Sequence, residues 1–412
     1  MTRMKESGIE WIGQIPEEWE VTKLKYALLI NNGKDYKDIE VEEGGYPVIG
    51  SGGVFARSRN YMYDGDVVLL GRKGTIDKPL FYSGKFWTVD TMFYSTALNG
   101  NNIKFMYYSS LLIPFSYYST ATALPSMTQS DLNNHMLCLP SISEQQKIAD
   151  FLDKKTAQLD KVKALLGEQI QKLKDYRASL IYETVTKGLD TTVPMKDSGI
   201  DWIGQIPEEW EVSKLEQYVD IFGRIGFRGY TTNDIVNEGE GAISYSPSNI
   251  IDYSVIDNNN TYISWSKYDE SPEIQIKTGD VLYVKTGSSY GKAGIVNKLS
   301  NKATINPQLV VLKPKKNTDS RLINYFLNSS VGKDQSELIV GGSTIPTITQ
   351  ESIKKMIFPK MSFEEQQKIA DFLDKKTIQI DKLIQIKNQQ IENINKQRQT
   401  LIYDYVTGKR RV

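Results

Sequence analysis

The 412-residue chain has one cysteine, Cys138, and one histidine, His135. A single cysteine excludes an intrachain disulfide framework and fits a reducing compartment. One Cys and one His cannot build a Cys/His zinc cluster, so no metal site is expected. A Ser-His-Asp triad would have to use His135. That residue lies in NNHMLC, away from any nucleophile-elbow motif, and reads as structural. No run of about 18 apolar residues is present, so no membrane-spanning helix is expected. The opening MTRMKESGIEWIGQ has no apolar signal-peptide core, and a cytoplasmic location is expected. Net charge is also lacking: 50 basic residues meet 50 acidic ones. Nucleic-acid binders are often basic overall, so any basic surface must be local. Between Lys277 and Lys316, eight lysines stand against one acid, Asp280, a net of +7.

Cofactor motifs are absent in the same way. GSSYGKAG at 287–294 imitates a phosphate-binding loop. It has three residues rather than four between the glycines, and Ala293 where a Ser or Thr must hold magnesium. FGRIGFRG at 222–229 spaces its glycines GxxGxxG, which is not the dinucleotide pattern. Asn306-Pro307 matches only the first half of an amino-methyltransferase signature. No cofactor is expected in this chain.

What is present is a duplication, and internal repeats decide the fold reading first. KESGIEWIGQIPEEWEVTKL at 5–24 returns as KDSGIDWIGQIPEEWEVSKL at 196–215, identical at 17 of 20 positions. EQQKIADFLDKKT at 144–156 returns unchanged at 365–377. The offsets are 191 and 221, so the segment between the blocks is 30 residues longer in the second half. The inserts, about 25–140 and 216–360, diverge. They still share GDVVL (65–69) with GDVLY (279–283), and LPSMTQSDL (124–132) with IPTITQESI (345–353). Two long copies do not make a solenoid.

The frame reads as helix and the inserts as strand. Leu152, Leu159, Leu166, Leu173 and Leu180 recur every seven residues, with Val162 and Tyr176 in the intermediate seam. The second copy keeps Leu373, Ile380, Leu383, Ile391, Ile394 and Leu401. Forty-odd residues at about 1.5 Å each span roughly 65 Å, and two such helices are expected to pack on each other. The inserts hold short Val-, Tyr-, Phe- and Thr-rich runs bounded by Gly, Asn, Asp and Ser, which marks β domains. The expected division is 1–142, a first β domain with its block; 143–187, a long helix; 188–361, linker, second block and second β domain; and 362–412, a second long helix and tail.

WIGQIPEEWEV, the Thr-Gln-Xaa-Xaa-Leu/Ile segment closing each insert, and EQQKIADFLD opening a heptad helix occur twice in one order. The set resembles the specificity subunit of type I restriction-modification systems, across essentially the whole chain. The resemblance implies an α+β fold with a pseudo-twofold repeat: two target recognition domains separated by two long antiparallel coiled-coil helices. It implies that each domain reads one half of a bipartite double-stranded DNA site. The helices would set the gap and dock two methyltransferase subunits. S-adenosylmethionine would sit on the methyltransferase partner, ATP and magnesium on a restriction partner, and no catalysis in this chain. A TAEL-like tetrapeptide that some members repeat occurs once per half, as Thr156–Leu159 and Thr377–Ile380, which leaves the spacer length open.

DNA affinity comes from phosphate contacts and specificity from base edges, read chiefly by Arg, Lys, Asn and Gln. The candidates are Arg57, Arg59, Arg72 and Lys73 in the first domain. In the second they are Arg224, Arg228, Lys285, Ser289, Tyr290 and Lys292. The rival reading is a coiled-coil scaffold with two ligand-binding β domains.

Overall fold

The computed structural model describes residues 3–118, 125–224, 226, 229–341 and 345–412. The chain forms two units, Met1–Gly167 with Asn388–Val412, and Glu168–Lys387. Two long helices, Ile142–Lys187 (46 residues) and Phe363–Val406 (44 residues), each contribute to both units. Ser141 and Ser362 cap their starts, each hydroxyl accepting from the backbone N–H three residues on. Both run out into a glycine at positive φ, Gly188 (75°) and Gly408 (73°), the left-handed position that ends helices cheaply.

Within each unit the helix segments run antiparallel. In the first, Phe151 meets Tyr405 with ring centroids 4.5 Å apart, and Asp160 meets Arg398 at 3.8 Å. In the second, the Lys387 ammonium donates to Gln169 at 2.6 Å and Arg177 pairs with Asp381 at 2.9 Å. Leu152, Leu373 and Ile380 are buried. Leu159, Leu166, Leu173, Leu180, Ile394 and Leu401 are half-buried. Val162 and Tyr176, expected in the seam, are exposed instead. Two helices bury only a narrow stripe between them, and these side chains fall outside it.

The first β domain carries one seven-stranded sheet. Its spatial order is Leu28–Asn32, Met92–Ala97, Tyr63–Gly71, Leu80–Thr88, Tyr46–Gly50, Gly53–Ser58 and Glu40–Val41. All pairs are antiparallel except Tyr46–Gly50 beside Leu80–Thr88. The second domain divides its strands between a six-stranded and a four-stranded sheet. The shared GDVVL and GDVLY segments lead into interior strands whose residues 67–70 and 281–284 are buried on both faces, which is why those stretches read as unbroken apolar runs. Val68 and Leu70 join the core that also contains Leu152 and Ile402, while Val67 and Leu69 join a separate core within the domain. Val281 and Tyr283 alternate with Leu282 and Val284 in the same manner.

Candidate nucleic-acid interface

The repeated blocks fasten each β domain to the helices. In the first unit Glu20–Lys23 pairs with Met136–Leu139; in the second Glu211–Lys214 pairs with Ile357–Lys360. The Trp19 indole N–H donates to Glu144 at 3.2 Å, and Trp210 to Glu365 at 3.1 Å. Gln145 and Gln366 each accept a backbone N–H from the domain, at Asn102 (2.9 Å) and Asp319 (3.1 Å). The Tyr108 hydroxyl donates to Asp153 at 2.7 Å and lies 3.1 Å from Thr156. Tyr325 repeats this with Asp374 (2.8 Å) and Thr377 (3.1 Å). Burial and the neighbouring carboxylate push both phenols well above their ordinary pKa. The unchanged thirteen-residue block is therefore a set of polar docking groups. Sequence reasoning took it only as a helix start; a tyrosine in a short helix of each insert, Ile103–Ser110 and Ser320–Asn328, was the available signal.

The basic candidates fall into two sets. Arg72 follows the central strand of the first domain, and its carbonyl accepts Met127 N–H at 2.9 Å. Its guanidinium donates to the Asp90 carbonyl at 3.3 Å and lies 5.8 Å from the Phe93 ring centre. Lys73 is exposed and bridges to Ser126. In the second domain Lys285 occupies the position of Arg72: it follows the central strand and its carbonyl accepts Ile348 N–H at 2.8 Å. Thr286 bridges to Thr347 as Lys73 does to Ser126. The Thr-Gln segments shared by the two inserts thus brace a cation at the end of the same strand in each domain. Lys285 is half-buried, and that burial lowers its pKa.

Ser289, Tyr290 and Lys292 come together on one wall of a cavity of about 610 Å³, with Lys333, Asp252 and Glu337 also lining it. Arg57 and Arg59 are exposed beside the tip of a hairpin that presents Val54 and Phe55 to solvent. Arg59 donates to the Asp38 carbonyl at 2.9 Å. Arg224 is 5% exposed. Its guanidinium turns inward to the Ile305 carbonyl (3.1 Å) and the Thr304 hydroxyl (3.2 Å), so it ties strands together rather than facing outward. Arg228 lies outside the described residues. His135 is buried, 2.9 Å from the Tyr118 hydroxyl and stacked on Trp11, as a structural histidine would be. Among the described residues no group of three or more His, Cys, Asp or Glu could hold a metal, and no helix is long and apolar enough to cross a membrane.

The long helices also present matched apolar side chains to solvent. Val162 and Leu165 are 46% and 47% exposed; Leu383 and Ile386, at the repeat offset of 221, are 47% and 46% exposed.

Fold and site define a duplicated recognition protein: two β-rich domains, each with a braced cation, clipped by identical groups to two long helices. Residues 16–173 and 207–396 match the type I restriction modification DNA specificity domain, and the chain belongs to that family. It is a specificity subunit with two recognition domains, and its role is DNA recognition rather than catalysis. The family assembles with methyltransferase and restriction subunits. Among its relatives, the MjaX putative specificity subunit of Methanocaldococcus jannaschii is 27% identical, over 97% of this chain and 96% of its own length. The MjaVIII specificity subunit of the same organism is 24% identical, over 97% and 94%. A structure solved in work on assembly and conformational transition of the type I system shares the fold. Its TM-score is 0.74 at 17% identity, over 96% of this chain and 99% of that one.

Proposed function

We propose that each recognition domain reads one half of a bipartite double-stranded DNA site, with Arg72 and Lys73 contacting one half and Lys285 and Lys292 the other. The observation that carries this reading is the pseudo-equivalence of Arg72 and Lys285, two cations braced at one strand end in otherwise divergent domains. Arg57, Arg59, Ser289 and Tyr290 extend the two contact surfaces. Two methyltransferase subunits dock on the helices; the matched pairs Val162/Leu165 and Leu383/Ile386 support two like docking faces, since exposed apolar clusters mark partner sites. The methyl donor then belongs to the methyltransferase, and ATP with magnesium to a restriction partner, in a cytoplasmic complex.

The test is methylation mapping and DNA binding with the methyltransferase complex. Arg72→Ala should weaken binding about 10-fold or more and relax recognition of one half-site only, as expected for loss of a base contact. Lys285→Ala should do the same to the other half. Relaxation of both halves by either variant would refute separate readers. The helices set the gap in this reading. Four residues inserted after Leu159 add about 6 Å, so the preferred gap should lengthen by one or two base pairs of about 3.4 Å each. An unchanged gap would make the helices a docking surface only.

A further inference from the structure

The two copies of the IPEEWEV block are alike in sequence and unlike in what neutralises them. In the first copy the chain leaves the second long helix through Gly408, which lies against the Trp19 ring. Three residues on, the Arg411 guanidinium binds Glu144 at 2.6 Å and also pairs with Glu18. Lys409 donates to the Gln14 carbonyl. A backbone hydrogen bond and Arg411 together hold the Glu18 carboxyl below its usual pKa.

In the second copy Gly188 lies against the Trp210 ring in the same way, with a Cβ there 3.3 Å from the indole and 3.5 Å from Glu365. At the repeat offsets, Glu18 corresponds to Glu209 and Glu144 to Glu365. Three residues past Gly188 the chain offers Thr191 rather than an arginine, and Asp190 precedes it. The result is a cavity of about 310 Å³ lined by Glu208, Glu209, Glu365, Asp190 and Trp210, with Lys187 as its one lining cation. Among the described residues, neither Glu209 nor Glu365 is in an ion pair, and Glu365 accepts only the Trp210 indole N–H.

We propose that this cavity is a binding site for an arginine side chain presented by another polypeptide. The same two glutamates beside the same tryptophan already hold a guanidinium in the first copy. A planar, five-donor guanidinium suits two carboxylates that converge on one side of an indole. The excess of acid around this site favours a basic segment, and because Gly188 already lies against the ring, only the arginine side chain has to be supplied; the chain's own tail, with Arg410 and Arg411, is a basic segment of that kind.

The probe is the pentapeptide Gly-Lys-Arg-Arg-Val, the sequence of residues 408–412. It is titrated into the full chain carrying ¹⁵N-labelled tryptophan, whose six indole N–H signals report each ring separately. The Trp210 signal should move and saturate at low salt, while the Trp19 signal, whose acid pair Arg411 already holds, stays in place. A peptide with both arginines replaced by glutamine should leave Trp210 unmoved. Glu209→Gln with Glu365→Gln should weaken the wild-type response at least tenfold, while keeping an acceptor for the indole. No Trp210 shift at about 10 mM peptide, where even millimolar affinity would register, overturns the proposal. So does a Trp210 shift that survives in the double variant, or movement of Trp19 in place of Trp210.

Discussion

The first recognition domain lays its strands in one seven-stranded sheet, whereas the second, with 30 more residues between its frame blocks, uses six and four. Beneath them, Trp19 and Trp210, Gln145 and Gln366, and Tyr108 and Tyr325 make the same hydrogen bonds to equivalent partners. The difference separates two kinds of constraint. A buried donor must keep its acceptor, because an orphaned one costs about 1–3 kcal/mol. An exposed loop residue has no such obligation, so the inserts can change topology while the clip beneath stays fixed.

The hardest blow to that comparison is to the tryptophans. Trp19 is fully buried and Trp210 nearly so. Each Trp→Ala change should cost its own unit about 3–5 kcal/mol. Hydrogen exchange should rise over residues 388–406 in the Trp19 variant and over 211–223 in the Trp210 variant. If either change loosened both segments equally, the two clips would not be independent.

A smaller effect distinguishes the units by pH. Burial holds the His135 pKa down to about 4, from an ordinary value of 6.5. The unfolded chain therefore binds a proton between about pH 6.5 and 4 that the folded first unit refuses. The stabilising effect of the neutral ring is whole above pH 6.5 and declines as pH falls, by about 2 kcal/mol at pH 5. The second unit has no histidine. Urea titrations of wild type and His135→Gln at pH 7 and pH 5 should show the extra loss in the wild type alone. Parallel losses would place His135 in solvent.

The smallest effect tests equivalence directly. Tyr108→Phe and Tyr325→Phe each remove one donor to a carboxylate, at Asp153 and Asp374. Each should cost about 1–2 kcal/mol by urea denaturation. A discrepancy larger than about 1 kcal/mol would trace to Arg321. It joins Asp319, Asp371 and Asp374 in the second unit, where the first has Lys104 with Asp153.

The repeat, the long helices and the strand-rich inserts were legible because each is written locally, in identical blocks, a seven-residue step and short β-branched runs. The family followed from the order of those blocks. Less local matters were not legible. Arg224 reads like any loop arginine until strands about 80 residues away supply its acceptors. Val162 fits a heptad seam by spacing, yet the two-helix contact is too narrow to cover it. The sequence by itself determined that there are two frames and two helices, since periodicity and identity need no partner to be read. Only the tertiary structure decided that Arg72 and Lys285 share one strand end, and that one acid pair is held by Arg411 while its twin is not. Those facts depend on contacts between residues far apart in the chain, and local sequence carries no record of such contacts.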